Sequence, residues 1–91
     1  DGALVPRARK RMKPALSTLD HLSVGATAVV RELDGGNEFS GRLAAMGLVL
    51  GAALQVMQNS GKGPMLVRVR DTRLALGRGE AQRILVERVP P

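Results

Sequence analysis

Cysteine, tryptophan and tyrosine are missing from this chain of 91 residues, and it holds one phenylalanine (Phe39) and one histidine (His21). Without thiols there is no disulfide framework and no thiolate metal site, and a reducing compartment is compatible. With a single aromatic ring, the core has to be built from Leu, Val, Ile, Ala and Met. The chain also lacks a hydrophobic run long enough to cross a bilayer. The longest stretch without a charge or an amide lies between Arg42 and Gln55 and has twelve residues. As a helix it would rise about 18 Å, against a hydrocarbon thickness of about 30 Å. Gly47 and Gly51 within it spell GxxxG, a spacing that carries meaning only inside an apolar run of about twenty residues. Membrane insertion is therefore not expected, and the glycines read as turn positions. No apolar segment follows the early positive residues, so a signal peptide is not expected either.

What is present in excess is positive charge, +6 overall. Arg7, Arg9, Lys10, Arg11 and Lys13 supply most of it, and beyond residue 13 nine cations face seven carboxylates. Residues 1–14 have two prolines and no hydrophobic period, and read as a disordered basic tail. Within it "LVPR" resembles a protease site used in expression vectors, and Met12 stands where a natural start would, so the tail is set aside from fold reasoning. Residues 15–91 then form one small domain that is nearly balanced in charge.

Along that domain the hydrophobic period alternates between elements. Leu16, Leu19 and Leu22 recur every third residue, which suits a short 3₁₀-like lead-in. Ala26, Ala28 and Val30 alternate with Thr27, Val29 and Arg31 as a strand. "DGGN" ends it, and Asn37 is placed to cap a short helix whose apolar face is Phe39, Leu43 and Met46. Gly47 falls where a left-handed C′ glycine belongs. From Gly51 the period is two again, with Leu54 and Val56 inward, and "QNSGKGP" interrupts. "MLVRVR" places Val67 and Val69 on one face, "DTR" is a tight connection, and Leu74 and Leu76 follow. "GRGE" breaks that strand, Ala81 starts a single turn, and "RILVERV" supplies the last strand. Five short strands and one short helix predict a mainly β fold, a small, partly open barrel.

Chemistry-bearing motifs are absent. "NSGKGP" is not a phosphate loop, because Val56 stands where its first glycine belongs and Gly63 follows the lysine in place of Ser or Thr. No serine has a histidine partner in a nucleophile motif, and no carboxylate pair is assigned, so an enzyme is not expected. No metal site or cofactor is assigned. The only adjacent candidate ligands are Asp20 and His21, and Asp20, Asp34 and Glu38 lack any recognised hard-metal spacing. Met46, Met57 and Met65 read as core filling or as a greasy contact surface.

The segments "TLDHLSVGATAVV", "RLAAMGLVLGAALQVM" and "GPMLVRVRDTRLALGRGEAQRILV" resemble the ferrous-iron transport protein A (FeoA) family over Leu16 to Val89. Arg42, Leu43, Met46, Gly47, Leu48 and Gly51 carry most of that resemblance, and Leu50 stands where proline is common in the family. The resemblance implies an SH3-like barrel. It also implies a cytoplasmic accessory role in bacterial ferrous-iron uptake, with the cytosolic part of the GTP-dependent permease FeoB as partner. A short barrel leaves some apolar residues exposed, and such patches mark contacts. The expected partner surface is Arg42, Met46, Leu48, Val49, Leu50 and Met57, with Leu48, Val49 and Leu50 exposed at the corner. The same corner would serve a weak homo-oligomer. Two other readings stand beside this one. The first is an SH3-like regulatory domain of a diphtheria-toxin-repressor-like, metal-dependent transcription factor. The second is a nucleic-acid-binding barrel using the basic arm with Arg68, Arg70 and Arg73, which lacks an aromatic stacking platform; no nucleic acid is expected as partner.

Overall fold

The computed structural model describes residues 16–90, so the expectation of a disordered tail over residues 1–14 lies outside the described residues. The elements run β1 (Leu16–Thr18), a 3₁₀ turn (Leu19–His21), β2 (Thr27–Leu33), α1 (Gly36–Ala45) and β3 (Ala53–Gln58). They continue with β4 (Met65–Val69), β5 (Thr72–Leu76), the single-turn α2 (Arg78–Ala81) and β6 (Ile84–Val89). All six strands join one antiparallel sheet in the order β1-β6-β2-β3-β4-β5. The sheet does not close, and β1 and β5 are its edges.

The period-2 reading holds in the burial. Ala28 and Val30, Leu54 and Val56, Val67 and Val69, and Ile84 and Val86 all point into one aliphatic core. Helix α1 closes that core with Phe39 and Leu43, both buried. Two bulges adjust the strands. β2 and β6 pair Val30 with Val86 and then Glu32 with Leu85, so Arg31 is the extra residue. An extra residue flips the face of everything after it, and Leu33 thereby joins the inward side opposite Ile84. Between β3 and β4 the extra residue is Met57.

Four local expectations change. The lead-in is a three-residue strand followed by the 3₁₀ turn, so the sheet has six strands; a strand this short carries no readable alternation. Helix α1 is capped at Gly35, with no side-chain cap from Asn37, which lies inside the helix. Glycine is required at position 35 because a Cβ there would stand 2.5 Å from the Phe39 ring. The "DTR" connection is tighter than expected: Arg70 and Asp71 alone join β4 to β5, and Arg70 takes φ +58°, a conformation easier for glycine. The single turn ends at Ala81 rather than starting there.

Gly41, in the interior of α1, is a glycine with no structural demand on it. A Cβ at that position meets nothing within 4 Å. Gly41→Ala is expected to stabilise the fold by about 0.5–1 kcal/mol, read as a higher urea midpoint at unchanged slope.

Candidate functional site

The stretch from α1 into β3 turns the chain through a corner fixed by two hydrogen-bonded devices. The first is a Schellman C-cap. The Gly47 N–H donates to Ala44 O at 3.0 Å and the Leu48 N–H to Leu43 O at 2.9 Å, with Gly47 at φ +93°. The second is a tight turn in which the Ala52 N–H donates to Val49 O at 3.0 Å and Gly51 takes φ +89°. A left-handed residue third in a four-residue turn is the type II pattern, which favours proline second. Leu50 occupies that second position, so its side chain is directed outward at the tip. The corner is tied to the sheet by Gly51 N–H to Val30 O at 2.7 Å and Val30 N–H to Ala52 O at 2.9 Å. No helix of the described residues is long and apolar enough to cross a membrane.

The result is an apolar ridge with a groove on each side. Val49 and Leu50 are 46% and 64% exposed. On one side a groove of about 380 Å³ runs between the ridge and α1, with Leu33, Ser40 and Ala44 in its walls. On the other side a groove of about 450 Å³ runs from the ridge to Ala53, Val69 and Arg70. Ser40 and Ala44 escaped the sequence reading because neither is large nor apolar enough to stand out. Their i, i+4 spacing and small size let the groove form along the helix.

The six expected surface residues do not form one patch. Val49 and Leu50 stand on the ridge, as expected. Leu48 is a correction: it is fully buried and joins the core cluster that contains Leu43, as the residue after the left-handed glycine of a Schellman motif commonly does. Met46 is the C-cap residue and is half-buried against the core. Met57 is half-buried at the β3 bulge, about 13 Å along the strand from Ala53 at about 3.3 Å per residue. Arg42 lies about 200° around α1 from Ser40, on the face away from the groove. There its guanidinium donates to Glu80 Oε2 at 3.0 Å and sits over the Phe39 ring at 5.9 Å. Glu80 Oε1 also accepts the Gly77 N–H at 3.1 Å, so Arg42 is tied to the start of α2.

Asp20 and His21 fall in the 3₁₀ turn. His21 Nδ1 lies 3.9 Å from Asp20 Oδ1 but 2.8 Å from Thr18 Oγ1, so the ring nitrogen nearest the carboxylate is engaged with a hydroxyl. Among the described residues no three His, Asp or Glu side chains converge. Nor does the polar cluster next to them present a reactive group. Its members, Asn59 and Arg78, spend their hydrogen bonds on the carbonyls of Asp20, Leu22 and Gly63.

An open six-stranded antiparallel sheet with α1 packed over its core defines a small SH3-like domain. The particular kind follows from comparison with known proteins. Residues 17–88 match the FeoA domain, and the chain belongs to that family. It is 35% identical over 63 residues to a putative Fe(2+) transport protein A of Methanocaldococcus jannaschii, covering 69% of this chain and 76% of that one. The crystal structure of an iron uptake regulatory protein, FeoA, superimposes with a TM-score of 0.78 at 31% identity, over 82% of this chain and all of that one. A manganese-dependent transcriptional repressor shares the fold, with a TM-score of 0.76 at 22% identity over 88% of this chain, which spans 45% of the repressor.

Proposed function

We propose that this chain is a non-enzymatic accessory protein of ferrous-iron uptake that works in the cytoplasm by docking on the cytosolic part of the permease FeoB, through the ridge Val49–Leu50. The family match supplies the iron-uptake setting. The observation that carries the docking reading is that the family's most characteristic segment builds a ridge whose tip residue is exposed and apolar. A turn needing only conformational economy would hold proline at that position. Leucine there, beside the exposed Val49, leaves a contiguous apolar pair in water, which supports a contact site. The repressor-domain reading draws on fold likeness alone.

Leu50→Glu tests the reading. The substitution leaves the fold intact, because position 50 is exposed and lies outside the core. Ferrous-iron uptake in cells that depend on FeoB is expected to fall to the level seen without this protein. Capture of the FeoB cytosolic domain by the purified chain is expected to fail in the same variant. Leu50→Pro, which suits the turn, serves as the fold-preserving control. Wild-type uptake by a folded Leu50→Glu protein would end the proposal.

A further inference from the structure

Beside the ridge, three arginines stand together with no carboxylate to answer them. Gln55 on β3, Arg68 on β4 and Arg73 on β5 are successive cross-strand partners in one row on the outer face. Arg68 donates to Gln55 Oε1 at 3.1 Å. Arg73 stands directly opposite Arg68, an arrangement in which like charges repel. Arg70 occupies the turn joining these strands in a left-handed conformation that glycine would take more easily. All three are exposed. Among the described residues none of them forms an ion pair, although Arg31 and Arg42 are each matched to a glutamate. Asp71 is the sole acid in the hairpin.

This cationic row is continuous with the ridge. Arg70 lines the groove it shares with Leu50, and it also lines the next groove, of about 420 Å³, which contains Gln55 and Arg68. Guanidinium groups in such a row pair with carboxylate or phosphate. Three features favour a protein carboxylate. The only aromatic ring, Phe39, is buried, so bases have nothing to stack on. The ridge is flanked by concave grooves on both sides, which accept side chains better than they enter a bilayer. A second copy docking at β5 would bring its own arginines to the same face. Cross-strand neighbours are about 5 Å apart and alternate residues of an extended segment about 7 Å, so two carboxylates at i and i+2 can meet Arg68 and Arg73 together.

We propose that the partner engages this module through an acidic segment, with one apolar side chain seated against Val49–Leu50 and carboxylates paired by Arg70, Arg68 and Arg73. The inference rests on the binding-module reading above and adds the chemistry of the partner.

The test is fluorescence anisotropy of the full chain with a short synthetic peptide carrying a central Leu flanked by Glu on both sides. Controls are the same peptide with Lys for Glu, phosphatidylserine vesicles and a short DNA duplex. The Glu peptide is expected to bind and the Lys peptide not. Raising salt is expected to weaken binding. The double variant Arg68→Ala/Arg73→Ala is expected to weaken it about tenfold and Arg70→Ala about fivefold. Circular dichroism melts are to show each variant folded. Absence of Glu-peptide binding, or binding that the arginine variants leave unchanged, overturns the proposal. So does binding to vesicles or DNA, lost in the arginine variants, at or above the affinity for the peptide. If the peptide fails while Leu50→Glu still abolishes iron uptake, the partner chemistry is wrong and the module reading stands. Failure of both, with normal uptake in Leu50→Glu, removes the reading on which the inference rests.

Discussion

Leu48→Ala is expected to destabilise the fold by about 2–5 kcal/mol, whereas Leu50→Ala, two residues further on, stays within about 0.5 kcal/mol. Leu48 has no exposed surface and is among the largest fully buried side chains. Its amide is held at 2.9 Å from Leu43 O, so the backbone cannot follow a shortened side chain inward without breaking the C-cap. A rigidly held site collapses poorly around a cavity, which places the cost in the upper part of that range. For a chain of this size each kcal/mol corresponds to about 4–8 °C in Tm, so a fall of 10 °C or more is the readout. The corner then separates cleanly by phenotype. Position 48 is expected to control stability, and on the docking proposal position 50 is expected to control partner binding. A Leu48→Ala variant that melts within 3–4 °C of wild type (roughly 0.5–1 kcal/mol by the same conversion) would show that Leu48 is not held as tightly as its burial indicates.

The same corner shows what the sequence could and could not reveal. Gly47 and Gly51 were readable as turn positions, because left-handed backbone is cheap only for glycine and the hydrophobic period changes across them. That located the joint and, with the strand alternation, the barrel. Which of Leu48, Val49 and Leu50 faces inward was not readable, because three consecutive apolar residues carry no period. Burial there is decided by the six-residue hydrogen-bond loop of the Schellman motif, and that loop depends on where the helix ends. The helix is capped at Gly35 rather than Asn37 for a related reason. Asparagine is the better cap by side chain, but the approach of the Phe39 ring to Gly35 sets the helix start two residues earlier. Arg42 and Met57 are similar cases. Family pattern marks Arg42 and a soft apolar side chain marks Met57, yet the helix phase sends Arg42 to Glu80, and Met57 lies at the bulge near the far end of β3. The arginine row could be read as residue types only. Its continuity with the corner depends on register between strands, which no single segment encodes.

Asn59→Ala is expected to cost about 2 kcal/mol, and Asn59→Asp as much or more, although aspartate is nearly the same size. Asn59 Nδ2 donates to Asp20 O at 3.0 Å and to Leu22 O at 2.8 Å, tying the 3₁₀ turn to the loop between β3 and β4. Its Oδ1 accepts from Arg78 at 2.9 Å and from the Gly61 N–H at 3.3 Å. Alanine leaves the Leu22 carbonyl without its side-chain donor in a part-buried site, and unmade bonds of this kind are the costly ones. Aspartate keeps the Arg78 contact but turns an acceptor toward two carbonyls that need donors. Arg78 completes the arrangement by also donating to Asp20 O at 3.1 Å and Gly63 O at 3.3 Å. Because both side chains serve the Asp20 carbonyl and bond each other, their losses should not add. The double variant Asn59→Ala/Arg78→Ala is expected to fall short of the sum of the single variants by about 1 kcal/mol. Arg78→Lys should recover only part of the loss, since an ammonium cannot span three acceptors held in a planar fork. Urea denaturation of the four proteins in the cycle measures the coupling directly. Strict additivity would mean that the two side chains act as separate pins and that the network has no stability of its own.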